Sequence, residues 1–179
     1  MRVFIILIFT AFTTGALAQC PKNPAISEEL DEAYRSLKFA KFPRDAQVAT
    51  DVLWSLWTRA PDNRAQRLLN RGIMNLRLGD LAAAEGFLSV LIKYCPDYAE
   101  GYNQRAFARY LAGNFEGALP DLARALSIQP RHLGALSGKG LTHLALGQPE
   151  LAEIEFRKEM ALNPFTADRD LIPNLGTDL

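Results

Sequence analysis

Residues 99–132 read AEGYNQRAFARYLAGNFEGALPDLARALSIQPRH, and the reading of this stretch decides the fold. Tyr102, Ala106 and Tyr110 recur every four residues, and the pattern then breaks at Gly113-Asn114. Ala118, Leu122 and Ala125 resume a helical spacing, which ends before Pro130. The stretch therefore predicts two amphipathic helices joined by a glycine turn. Outward from it, the same marks return at a fixed period of 34 residues. Pro96, Pro130 and Pro164 keep that spacing, as do Gly79, Gly113 and Gly147. Ala84, Ala118 and Ala152 form a third column, and Gly72, Ala106 and Gly140 a fourth. Each unit predicts a helix, a turn at the glycine, a second helix and a proline-marked stop. Asp80 and Asn114, directly after their glycines, are side chains that cap helix N-termini well.

These columns resemble the tetratricopeptide repeat, with units at 65–98, 99–132 and 133–166. The large residue of the first helix matches at Leu68, Tyr102 and Leu136, and the bulky residue of the second at Leu88, Leu122 and Phe156. The resemblance implies an all-α fold, an α-solenoid of stacked antiparallel helix pairs wound as a right-handed superhelix. Physical reasoning agrees, because one helix pair of this size cannot bury its apolar face without stacked neighbours. The sequence departs from the pattern in places. Leu91 and Glu159 stand where the middle unit has Ala125, and Asn75, Arg109 and His143 occupy a column usually held by an aromatic. Pro120 inside a second helix is expected to kink or delay it.

The flanks read as partial units. Within 19–64, Ser27-Glu28-Glu29 opens a helix with an apolar stripe of Leu30, Ala33, Tyr34 and Leu37, and Pro43 permits a second with Ala49, Leu53 and Leu56 on one face. This N-terminal arm and degenerate helix pair is expected to act as a capping unit. Pro61 precedes Pro96 by 35 residues, so its register is one residue off. The tail, 167–179, reads as irregular, which would leave the face near Phe156 and Met160 incompletely capped.

Residues 1–18 read as a removable secretory signal. Met1-Arg2 is followed by an apolar run from Val3 to Thr10 and by Ala16-Leu17-Ala18, the small-x-small pattern of a cleavage site. The expected location is outside the cytoplasm, periplasmic or secreted. In such a compartment an even pair of cysteines, Cys20 and Cys95, is expected to bridge. That bond would be worth up to about 4 kcal/mol in the chain-entropy model. Lipidation of Cys20 is the alternative; Gln19, which is not small, departs from a lipoprotein signal. A membrane partner is expected only if Cys20 is lipidated.

Composition narrows the function classes. The 179 residues carry 20 basic and 20 acidic side chains with 49% hydrophobic residues, which argues against nucleic-acid binding and against disorder. Phosphate-binding glycine loops, nucleophile elbows and zinc-helix motifs are missing from the sequence, and His132 and His143 lack metal-ligand spacing. The expectation is a non-enzymatic chain without metal, cofactor or small-molecule substrate.

Two ladders at the repeat period suggest surfaces. Arg71, Arg105 and Lys139 form a basic column, which could meet an acidic ligand or pair with Asp121 and Glu155 on the second helices, with Phe87 in that column for the first unit. Pairing is the favoured reading. In tetratricopeptide arrays the first helices line a concave groove. By that resemblance Ile73, Phe107 and Leu141 form one groove column and Leu76, Tyr110 and Leu144 the next, with Asn70, Asn103, Gln104 and Arg77 beside them. The bland alternative assigns part of this stripe to the core. The family's clamp for peptide C-termini needs lysines that are missing here, although Asn70 is present. The expected partner is a protein or peptide segment bound in a mainly apolar groove, with Phe107 and Tyr110 as anchors. The competing reading is a structural or assembly subunit of an envelope complex, associating through the repeat edges.

Overall fold

The computed structural model describes residues 20–22 and 26–172; the signal-peptide reading of 1–18 and the end of the tail lie outside the described residues. Eight α-helices run in order among them: α1 Ser27–Lys38, α2 Pro43–Trp57, α3 Asn63–Leu78, α4 Leu81–Tyr94, α5 Ala99–Leu111, α6 Phe115–Ile128, α7 Leu133–Ala145 and α8 Pro149–Leu162. A short 3-10 turn, Ala167–Leu171, follows. Helices α3–α8 form three antiparallel pairs, each packed on the next, as an α-solenoid.

The repeat columns act as the local chemistry requires. Gly79, Gly113 and Gly147 adopt φ of 76°, 76° and 69°, the left-handed region that glycine enters without a Cβ penalty. Asp80 and Asn114 then accept hydrogen bonds from the backbone N–H groups of Ala83 and Gly117, both at 3.0 Å. Helix α6 runs unbroken through Pro120 and starts on schedule, so the expected delay does not occur. Its N-terminus is already fixed by Gly113 and the Asn114 cap, and the helix tolerates one lost hydrogen bond.

Close approach within each pair depends on the small-residue column. A Cβ on Gly72 would lie 2.6 Å from the Leu88 side chain, and one on Gly140 would lie 2.3 Å from Phe156. The pairs are also tied by charge. Arg105 makes two hydrogen bonds to Asp121, at 2.8 and 2.6 Å, and Lys139 meets Glu155 at 2.9 Å. The Arg71 guanidinium lies 5.4 Å from the centre of the Phe87 ring. The basic column is thus spent on its own second helices. Arg109, in the column usually held by an aromatic, bridges Glu85 of α4 and Asp121 of α6.

The N-terminal helix pair forms, but it does not stack beneath α3 as a capping unit would. Ala108 and Thr142 are buried by the units before them, whereas Met74, their counterpart in α3, is 54% exposed. Instead α1 and α2 fold back to the third unit. Their core, Leu30, Leu37, Leu53 and Trp57, closes on Leu133 of α7, with Leu162 and Phe165 against it. Tyr34 donates its hydroxyl to the Arg131 carbonyl, and Arg131 pairs with Asp31. The C-terminal face is also less open than expected. Phe156 is fully buried, and Ile172 packs on it after the 3-10 turn.

Cys20 and Cys95 are joined in a disulfide with Cα atoms 5.1 Å apart, pinning the start of the described chain to the end of α4. Among the described residues no helix is long and apolar enough to cross a membrane.

Two glycine substitutions separate packing from propensity. Gly140→Ala is expected to destabilise by about 1–3 kcal/mol, because Phe156 has nowhere to move. Gly86→Ala meets nothing within 4 Å on α4 and is expected to stabilise by about 0.4–1 kcal/mol. Urea unfolding of both variants checks the pair.

Candidate functional site

The concave side of the solenoid carries a cavity of about 300 Å³ between α5 and α7. Phe107, Tyr110 and Leu141 supply its apolar walls, Asn103, Gln104, Ser137 and Thr142 its polar ones, and Leu122 reaches it from α6. Trp54 of α2 closes one side. That indole sits where it does because Gly134 opens space in the first turn of α7: a Cβ there would lie 2.6 Å from Trp54 Cη2.

One buried polar cluster holds the wall in place. Glu100, in the first turn of α5, is 1% exposed, and His132 is fully buried. His132 Nδ1 accepts the backbone N–H of Ala135 at 3.2 Å, capping α7. Its Nε2 must therefore carry the proton, which it donates to Glu100 Oε2 at 2.9 Å. Asn103 donates to the same oxygen at 3.1 Å, and Gln104 donates to Oε1 at 2.5 Å. Both amide NH2 groups are thus turned to Glu100. Trp57 stacks on the imidazole with centroids 4.1 Å apart, and Trp54 stands edge-on to both rings. Tyr98 anchors the end of α2 by donating to the Trp57 carbonyl at 2.7 Å.

A second, more polar cavity of about 360 Å³ lies between α2, α7, α8 and the 3-10 turn. Glu159 on its wall is 5% exposed; Oε1 accepts the Thr166 hydroxyl at 2.7 Å, and Oε2 has no partner. Burial pushes its carboxyl from the ordinary 4.5 up to about 8; the Thr166 bond opposes this, and neighbouring Asp168 adds to it. Asp168 itself accepts the Ser137 hydroxyl. Among the described residues no group of acidic, histidine or cysteine side chains could hold a metal ion.

The ten residues expected along the groove separate into three groups. Asn103, Gln104, Phe107, Tyr110 and Leu141 converge on the central cavity. Ile73 and Leu76 pack instead on the core around Leu69, Leu88 and Leu91, and Leu144 packs on the Ala152–Phe156 core. These three are inter-helix packing positions, as apolar residues at helical spacing usually are. Asn70 accepts from Gln66 on the exposed face of α3, and Arg77 is exposed in its last turn; neither lines the cavity. Sequence reasoning missed Trp54, Glu100 and the role of His132. The contacts that join them to each other, Glu100 to His132 and Trp54 to His132, span 32 and about 80 residues, and no spacing rule joins them.

No family model matches the chain. A TPR repeat-containing protein of Rhizobium etli is 28% identical over 142 residues, covering 79% of this chain and 69% of that protein. Tetratricopeptide repeat protein 36 of Bos taurus is 31% identical over 121 residues, covering 65% of this chain and 64% of its own length. About a third of each relative thus lies outside the match. Among solved structures, the first TPR domain of Spaghetti (RPAP3), bound to an HSP90 peptide, superimposes with a TM-score of 0.58 at 20% identity, over 60% of this chain and 90% of that one. The MamA protein gives a TM-score of 0.52 at 20% identity, over 76% of each chain.

Glu159→Gln separates the buried carboxyl from its surroundings. A raised folded pKa means the folded chain keeps a proton that the unfolded chain releases, so Glu159 costs stability increasingly as pH rises from about 4.5 to about 8. The variant is expected to match the parent near pH 4 and to exceed it by on the order of 1–3 kcal/mol at pH 8, as read by thermal melts across that range. Helix pairs in a 34-residue register, glycine turns at the left-handed positions and these likenesses identify the fold as that of the tetratricopeptide-repeat solenoids.

Proposed function

We propose that this chain is an exported, non-enzymatic scaffold that holds a segment of a partner protein on its concave face, seating one large apolar side chain in the cavity between α5 and α7. The observation that carries the reading is the cavity itself. Its walls are mainly apolar and include Phe107, a large aromatic that is 47% exposed on the cavity face. Its polar rim is preorganised, because Glu100 fixes the two amides before any partner arrives. The RPAP3 domain, bound to an HSP90 peptide, is a precedent for peptide recognition on this fold.

Export is supported by the disulfide, since such bonds persist in oxidising compartments. The edge-association reading has less support at Phe156, which Ile172 and the 3-10 turn cover, while Leu151 and Ile154 of α8 and Met74 of α3 stay exposed.

Peptides selected from a displayed random library on the purified chain test the groove. Phe107→Ala is expected to weaken the selected peptides by about tenfold or more while leaving the melting temperature within a few degrees, as hot-spot aromatics do. Leu144→Ala, at a core position, is expected to lower stability instead. Peptides that bind equally well to Phe107→Ala would move the site off the concave face.

A further inference from the structure

The connection between α1 and α2 is the turn Phe39-Ala40-Lys41-Phe42, and both phenylalanines face solvent, at 73% and 65% exposure. Among the described residues they join no core cluster, unlike the aromatics of the same hairpin, Tyr34, Trp54 and Trp57, which pack in or against its core. Cations interleave with them. Between residues 35 and 45 stand Arg35, Lys38, Lys41 and Arg44 against a single acid, Asp45, in the first turn of α2. All four cations are exposed, and among the described residues none makes an ion pair. Elsewhere on the surface Arg59, Arg124, Arg131 and Arg157 each have a carboxylate partner, while Arg64, Arg67 and Lys93 make no ion pair among the described residues, so what sets the tip apart is the two exposed phenylalanines between its cations. The apolar strip also continues along α2: Val48 and Val52 are 60% and 44% exposed, and they follow Arg44 at four-residue steps on one side of the helix.

The hairpin is rigidly mounted, by Tyr34 and Asp31 on Arg131 and by Tyr98 on Trp57, so the tip is presented rather than free to fold onto the body. Exposed aromatics flanked by unpaired cations match the boundary of an anionic bilayer, where rings enter the headgroup region and cations meet phosphate. We infer that the α1–α2 tip is a peripheral docking site for anionic phospholipid membranes, with Phe39 and Phe42 entering the interface and Arg35, Lys38, Lys41 and Arg44 pairing with lipid phosphates. This inference does not rest on the peptide groove, and it needs no lipid on Cys20. The chain has no net charge, so the attraction is local to the tip and is screened by salt.

Co-sedimentation with vesicles of mixed phosphatidylglycerol and phosphatidylcholine, against phosphatidylcholine alone, tests it. It is run on the full chain and on the chain from Gln19, which lacks the apolar run near the start. Both forms are expected to bind the anionic vesicles roughly tenfold or more tightly than the neutral ones, and to release in high salt. Phe39→Ser/Phe42→Ser, and separately Lys38→Gln/Lys41→Gln/Arg44→Gln, are each expected to lose about tenfold or more with unchanged circular dichroism. These side chains are exposed, so folding is not at stake. Equal binding to both vesicle types, or full binding by the double phenylalanine variant, would overturn the inference. Lipid-independent dimers by light scattering that Phe39→Ser/Phe42→Ser abolishes, without vesicle binding, would assign the tip to a second copy and overturn it too.

Discussion

Glu100 and His132 form the joint on which the described architecture turns. A buried carboxyl is costly unless donors surround it, and Glu100 receives three, from His132, Asn103 and Gln104. The imidazole in turn has both nitrogens committed, one to Glu100 and one to the N-terminus of α7. One of its faces is committed as well, since Trp57 stacks on it. One side chain therefore fixes α2, α5 and α7 relative to each other. A substitution that removed either partner would leave the other buried and unpaired, the expensive way to lose a hydrogen bond.

The consequence is a solenoid closed by the α1–α2 hairpin. A fourth unit stacked on α3 would have lengthened the array and left the groove open. The hairpin crosses to the third unit instead, and Trp54 becomes part of the cavity wall. The groove is shortened to one pocket, the outer side of α3 stays bare at Met74, and the hairpin tip points to solvent with its two phenylalanines. Gly134 is the local condition for this route, because any side chain there would collide with Trp54.

Positions that depart from the repeat pattern carry most of the distinctive chemistry. Arg109 replaces an aromatic and ties two units through Glu85 and Asp121. His143 donates from Nδ1 to Gln148 at 2.8 Å, joining α7 to the turn before α8. Glu159 replaces an alanine and places a carboxyl beside Asp168 at the last junction, where Thr166 and the 3-10 turn fold over it. Regular columns build the solenoid, and irregular ones decide what is attached to it.

The sequence by itself determined the helix pairs. A period of 34 residues, glycine at each left-handed turn and a small residue opposite each bulky one are local rules, and they are written in residue order. The Arg105–Asp121 and Lys139–Glu155 pairs were legible for the same reason, since both partners lie within one unit, 16 residues apart. Half of the groove stripe was legible too: Phe107, Tyr110 and Leu141 reach the cavity. Ile73, Leu76 and Leu144 share their columns yet pack inward, because helical spacing gives a face and not what covers it. Only the tertiary structure decided where the N-terminal pair goes, that Glu100 meets His132, and that Phe39 and Phe42 are left exposed. Those outcomes depend on contacts between residues tens of positions apart. Such contacts follow from shape and from the cost of burying a charge, and neither leaves a period in the chain.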